Sequence, residues 1–315
     1  MASTRFNKRF QVPAAALSVM DQIVDTQEML LIESMEHESF TVSEVHHTLR
    51  IKNGDLWTID RVSSLLESAY KRGVIQWVDE TKTQYKIGSF YTRLDIFAIS
   101  EPLSYRALPH KTQVALDKWY FESYLKRLAP DSSTPTADQV VTLEEAKDYL
   151  HSTTAQIWLN KCDCRTLAGN CDFPTDVCIS FRGGINTFSH RGWSKPITKE
   201  QAREVLERAD KAGLVHTINP GGICNCCVDC CYLFRAQRVR QSHPDWPAAL
   251  SIAVFHRETC VSCGICTKRC LFGVFEQNHQ VIQYHPERCR GCGLCGESCP
   301  AGAIQSVKKG KEPWA

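Results

Sequence analysis

The stretch that decides the chain's architecture is Cys260-x2-Cys263-x2-Cys266-x3-Cys270, repeated after an 18-residue gap as Cys289-x2-Cys292-x2-Cys295-x3-Cys299-Pro300. A cubane [4Fe-4S] cluster needs four thiolates converging from different directions. Three closely spaced cysteines on one tight loop can cap three irons, and the fourth iron must be reached from elsewhere. Zinc motifs pair their cysteines two and two and do not repeat this three-plus-one pattern. Gly264, Gly291, Gly293 and Gly296 suit a loop that needs positive φ and brings backbone N–H groups towards sulfur.

This pattern resembles that of the bacterial dicluster ferredoxins, over residues 250–308. The resemblance implies two [4Fe-4S] clusters that exchange their fourth ligand. Cys260, Cys263, Cys266 and Cys299 would hold the first, and Cys289, Cys292, Cys295 and Cys270 the second. It also implies two pseudo-symmetric halves, with strands at Ala253–Phe255 and Gly273–Phe275 in one and at Val281–Tyr284 and Ala303–Ser306 in the other. Leu271 departs from the family, many of whose members have Pro after the fourth Cys.

The chain has 315 residues, room for two or three domains, and 17 cysteines confined to positions 162–299. An odd, clustered count argues against a disulfide scaffold and for metal thiolates in a reducing, cytoplasmic compartment. A net charge of +2 points to no particular partner. Arg5, Lys8 and Arg9 precede a short apolar run, Val12–Met20, but Pro13 interrupts it and Asp21 follows, so a soluble helix with a basic lead is expected there rather than a signal peptide. No run of about 18 apolar residues occurs, so no membrane span is expected.

Residues 12–33 place Leu17, Met20, Ile23, Val24 and Met29 as an imperfect amphipathic helix. Thr41-Val42-Ser43-Glu44 is a capping box opening a helix to Leu49. A third helix runs from Thr58 to Arg72 with Ile59, Val62, Leu65, Leu66 and Tyr70 on one face and Gly73 as its stop. Val74–Val78 and Gln84–Ile87 then form a hairpin. Three helices and a hairpin resemble a winged helix, whose functional reading is DNA binding through the third helix. That helix offers only Arg61, Lys71 and Arg72, and acidic residues outnumber basic ones across 1–150, so docking of a partner protein is expected instead.

A helix over 110–128 gathers Trp119, Tyr120, Phe121, Tyr124 and Leu125, an aromatic cluster read as core. A Ser-, Thr- and Pro-rich linker lies at 131–140, and Thr142-Leu143-Glu144-Glu145 caps a helix running towards Asn160. Residues 141–249 form a second cysteine region. Its first packet is Cys162, Cys164, Cys171 and Cys178. A helix over Thr198–Lys211 and a strand Leu214–His216 follow, and then comes Cys224, Cys226, Cys227, Cys230 and Cys231. Successive side chains on an extended chain point apart, so the doublets Cys226-Cys227 and Cys230-Cys231 face two different places. Two more [4Fe-4S] clusters, one per packet or with ligands mixed between packets, satisfy this arrangement, as do one or two zinc sites. Cys162-x-Cys164-Arg165 and Ile223-Cys224-Asn225-Cys226-Cys227, with a Cys pair after it, resemble the segment ahead of the dicluster domain in iron-sulfur proteins of anaerobic microbes. The resemblance implies iron-sulfur chemistry without a particular reaction. Arg165 stands where its charge can raise a cluster's potential, and His216 reads as a strand residue rather than a ligand.

The chain has no G-x-G-x-x-G fingerprint, no Walker loop and no Cys-His pair of catalytic spacing. The expectation is an α+β multidomain chain: a winged-helix-like and helical docking module over 1–130, the cysteine-rich region, a ferredoxin-like dicluster domain and a tail at 309–315. It would carry electrons as a subunit of, or donor or acceptor to, a partner oxidoreductase in anaerobic metabolism, rather than catalyse a reaction itself. The alternative is a redox-sensing regulator that binds DNA.

Overall fold

In the computed structural model, residues 3–129, 135–240 and 245–309 are described. Among the described residues, helices mix with four sheets, and the chain divides into two compact units. One unit holds residues 1–126, 166–168 and 183–195, and the other holds the remainder. The linker expected at 131–140 falls partly outside the described residues, and its end, Gln139–Val141, is a strand. The tail beyond 309 also lies outside them.

The first unit opens with a chain that breaks where one helix was expected over 12–33. Short helices cover Thr4–Arg9, Ala14–Val19 (of 3-10 type) and Met20–Ile23 before the helix Thr26–Ser34 begins. The break follows from Asp25, whose carboxylate accepts from Gln27 N and Glu28 N in a capping box and so starts a new helix. Strand β1 (Ser39–Phe40) leads into the helix Val42–Asn53, capped by Thr41 and Glu44 as expected. The helix Ile59–Lys71 follows, then β2 (Ile75–Trp77) and β3 (Tyr85–Ile87), in the sheet order β1-β3-β2. Val62, Leu65, Leu66, Ala69 and Tyr70 form the buried face of that helix, whereas Ile59, in its first turn, is 45% exposed.

Two helices not anticipated, Phe90–Ser100 and Pro102–Ala107, precede His110–Arg127. In that last helix only Leu116 and Tyr120 are buried. The remaining aromatic residues are half-buried, with Tyr120 stacked on Tyr91 at 4.0 Å. A buried ionic knot ties this unit together. Arg72 reaches Glu28 and Glu101, each at 2.8 Å, and Arg93, itself fully buried, reaches Glu101 at 2.7 Å. The segment 183–195 belongs to this unit because its polar groups satisfy the hairpin and the helix before it. Asn186 accepts from Trp77 N at 2.9 Å and donates to Trp77 O at 3.0 Å, and buried Arg191 donates to the carbonyls of Tyr70 and Ile75.

The second unit is built on a seven-stranded sheet. Its strands are β4 (Gln139–Val141), β5 (Ile157–Lys161), β6 (Asp176–Ser180), β7 (Lys195–Ile197), β8 (Val215–Asn219), β9 (Gly222–Cys226) and β10 (Ala248–Ala249), in the order β10-β4-β8-β9-β6-β5-β7. The helix capped by Thr142 ends at Ser152, and the residues expected to continue it form β5 instead. That segment reads Ile157-Trp158-Leu159, and β-branched and aromatic residues pack well on a pleated surface. Helices Leu143–Ser152 and Lys199–Ala212 pack on each other and on one face of this sheet.

Beyond it, β11 (Ser251–Phe255) pairs antiparallel with β14 (Ile304–Lys308), and β12 (Phe275–Asn278) with β13 (Val281–Tyr284). Short helices Ile265–Arg269 and Leu294–Glu297 follow the two cysteine loops. Ala253, Val274, Phe275, Ile282 and Ile304 form the core between the loops.

Candidate iron-sulfur and metal centres

The eight cysteines of 260–299 fall into two neighbouring sets. Cys260, Cys263, Cys266 and Cys299 line one small apolar pocket, with Phe255, Ile282 and Ile304 among its walls. The second set is Cys270, Cys289, Cys292 and Cys295. Burial, then the thiols of Cys270 and Cys289 among its neighbours, push Cys292 up to about 12. Burial and the other three thiols of the set likewise raise Cys295. In the first set, burial and the neighbouring cysteines push Cys266 up to about 11. Four thiols crowded in apolar surroundings disfavour their own ionisation, and bound cations reverse that balance.

Backbone N–H groups of Ser262, Val274 and Gly291 lie 3.4 Å from the sulfurs of Cys260, Cys270 and Cys289, and Ala253 N lies 3.4 Å from Cys289 Sγ. The residues therefore fit two cubane clusters: four thiols per set, apolar side chains around them and backbone donors aimed at sulfur. Gly291 has φ +68°, and a Cβ there would stand 2.0 Å from Ser251 O, so close strand approach requires glycine. Gly296 is different, since it sits inside the helix Leu294–Glu297 without a positive φ. The turn after Cys270 forms with Leu271 in place of Pro, using Gly273 at φ +67°.

The sets differ in access. Cys263 is exposed, and Val261 and Ile265 beside it are 67% and 41% exposed. Cys292, Leu294 and Cys295 are buried.

In 162–231 the thiols group across the two packets. Strand alternation puts Cys224 and Cys226 on one face of β9, with Cys178 of the adjacent β6 on the same face. Cys162 and Cys164, at the start of the helix Asp163–Ala168, and Cys231, just before the helix Tyr232–Val239, complete a ring. Around it, Cys162 meets Cys164 and Cys178, Cys178 meets Cys224, Cys224 meets Cys226, Cys226 meets Cys231, and Cys231 meets Cys164. As acceptors from their neighbours, Cys162, Cys224 and Cys231 are held well below the ordinary thiol range, and Cys164, Cys178 and Cys226 well above it.

The other three thiols, Cys171, Cys227 and Cys230, lie within 4.8 Å of one another. Each doublet is thus divided, one sulfur to the ring and one to the trio. A grouping by packet, with Cys171 beside Cys162, Cys164 and Cys178, does not occur, because β6 and β9 are adjacent strands and bring the packets together.

Arg165 is buried between the two groups, donating to Pro174 O at 2.5 Å and Asn225 O at 2.9 Å. Its Nε has no protein partner, an orphaned buried donor that suits an anionic group at this place. Burial lowers its pKa, but the Cys162, Cys227 and Cys178 sulfurs outweigh that and raise it. The Cys230 thiol, with Arg165 contributing, brings Cys227 down to about 5.

His216 points to the sheet's other face. Its Nδ1 lies 2.6 Å from Asn225 Oδ1 and its Nε2 3.4 Å from Asp210 Oδ1, so it is a buried strand residue away from the thiols. Burial and then Asp210 raise the Glu297 carboxyl, at the end of the helix Leu294–Glu297. Asn225, His216, Asp210 and Glu297 thus form a polar bridge from the thiol sheet to the ferredoxin-like part, invisible in sequence because its members are far apart along the chain.

Among the described residues, no helix is long and apolar enough to cross a membrane. No curated protein matches the chain. Residues 282–305 match the family described as 4Fe-4S binding domain, so the C-terminal part carries at least one segment of iron-sulfur type.

Proposed function

We propose that the chain is a multi-cluster iron-sulfur protein that passes single electrons to or from a partner oxidoreductase, as its subunit or dedicated donor, in the reducing cytoplasm of an anaerobic cell. The observation that carries this reading is the division of eight thiols into two neighbouring sets of four, with Cys270 and Cys299 exchanged between the loops. Two [4Fe-4S] clusters supply one-electron chemistry there. Cys263, Val261 and Ile265 present the first set at the surface, where a partner can approach. Leu294, Cys292 and Cys295 keep water from the second. The six-thiol ring, with Arg165 beside it, supports a further iron-sulfur centre in the same chain.

The helix, strand, helix, helix and hairpin order of the first unit supports a winged-helix-like module that docks a protein. DNA binding is disfavoured by the third helix's own charges: Lys71 pairs with Glu67 at 2.7 Å, and Arg72 is committed to Glu28 and Glu101. Salt-dependent duplex binding that changes on oxidation would favour the regulator instead.

The test is iron, acid-labile sulfide and EPR on anaerobically purified protein. About eight irons belong to 260–299, with more from the ring. Cys292→Ala and Cys299→Ala should each abolish one reduced-state signal. Normal electron transfer after both changes would refute the reading.

A further inference from the structure

The trio Cys171, Cys227 and Cys230 is spaced unlike any other group of three among the described residues. Cys171 Sγ lies 3.6 Å from Cys227 Sγ and 3.5 Å from Cys230 Sγ. One metal ion bound tetrahedrally by thiolates at about 2.3 Å sets its sulfurs about 3.8 Å apart, the edge of that tetrahedron. In a cubane each thiolate caps its own iron, so the body of the cluster separates the sulfurs. The same molecule supplies the contrast: among the described residues, neither the eight thiols of 260–299 nor the six of the ring contain three sulfurs mutually within 4.8 Å.

We propose that Cys171, Cys227 and Cys230 bind a single zinc ion, separate from the iron-sulfur centres, with its fourth coordination position left to solvent or a small exogenous ligand. Three thiolates at mononuclear spacing form a soft donor set that selects zinc over hard cations. Among the described residues no His, Asp or Glu joins the three sulfurs. Access is from one side. Cys227 and Cys230 are buried at 1% and 0% exposure, whereas Cys171 is half-buried in the loop between the helix Asp163–Ala168 and β6. Asn170 pins that loop by donating to Asp229 O at 3.2 Å, which holds Cys171 against the Cys227–Cys230 turn. The assignment goes beyond the electron-transfer reading and does not depend on it.

The experiment is zinc and iron analysis of the full chain, purified anaerobically, together with zinc-edge X-ray absorption. The wild type should carry about one zinc, with three sulfurs at about 2.3 Å and one lighter atom. Cys171→Ser and Cys230→Ser should each lower zinc about fivefold or more, while iron and the EPR signals of 260–299 stay unchanged. Because Cys171 is a half-buried loop residue, its variant separates metal loss from misfolding, and the retained iron signals report an intact fold. A wild type without zinc, zinc retained in both variants, four sulfurs around the ion, or iron lost in place of zinc would each overturn the proposal.

Discussion

Replacing Arg165 tests whether the ring beside it holds a redox centre. The guanidinium is 3% exposed and faces Cys162, Cys227 and Cys178. A unit charge about 6 Å from a centre, in surroundings of effective dielectric constant about 20, interacts with it by about 3 kcal/mol. For a one-electron couple that is about 120 mV. Arg165→Gln removes the charge and keeps a donor, so the centre's potential should fall by about 100 mV. Arg165→Lys keeps the charge and should shift it by only a small part of that. The assay is a potentiometric titration followed by EPR, on signals additional to those removed by Cys292→Ala and Cys299→Ala, with iron measured on the same samples. If Arg165→Gln keeps its iron and its potential within about 20 mV of the wild type, the electrostatic argument is wrong.

Two further perturbations probe the framework. Arg72→Ala leaves Glu28, 0% exposed, without its 2.8 Å partner and should cost about 3–5 kcal/mol in the first unit, read by thermal or urea unfolding. Burial raises the Glu28 pKa and Arg72 opposes the rise, so the variant's pKa climbs further. A carboxyl raised on folding stabilises while protonated and loses that contribution as pH rises through its folded pKa. The deficit should therefore shrink towards acid pH. Gly291→Ala drives a Cβ into Ser251 O and should cost the Cys289 loop its cluster, measured as about half the iron of 260–299. Gly302→Ala, at φ +62° with open space around it, should cost only about 1 kcal/mol and no iron.

The ferredoxin-like part was legible because its ligands lie in tandem. Cys260 to Cys299 sit on two local loops whose geometry is set by spacing and glycine, so the four strands lie within a few residues of those expected, but their pairing crosses the expected halves: β11 joins β14 and β12 joins β13. The capping boxes at Thr41, Thr142 and Thr198 were legible for the same reason, since each joins residues three apart. Where apolar pattern was the sole guide, results were mixed. The break at Asp25 divided one expected helix, and Ile157–Lys161, whose β-branched and aromatic residues suit a sheet, became a strand paired with β6.

Sequence by itself pointed to thiolates that hold metal, to two sets of four with Cys270 and Cys299 exchanged, and to doublets such as Cys226-Cys227 facing two places, because these expectations follow from spacing and the period of an extended chain. Only the tertiary structure decided how the other nine divide. The pairing of β6, β8 and β9 turned Cys178, Cys224 and Cys226 to one face, the loops before two helices brought Cys162, Cys164 and Cys231 to them, and Cys171 was left against Cys227 and Cys230. The physical reason is that a ligand set is a matter of distance in space. Strand pairing between segments about 50 residues apart sets those distances, and the spacing of cysteines within each segment does not contain them.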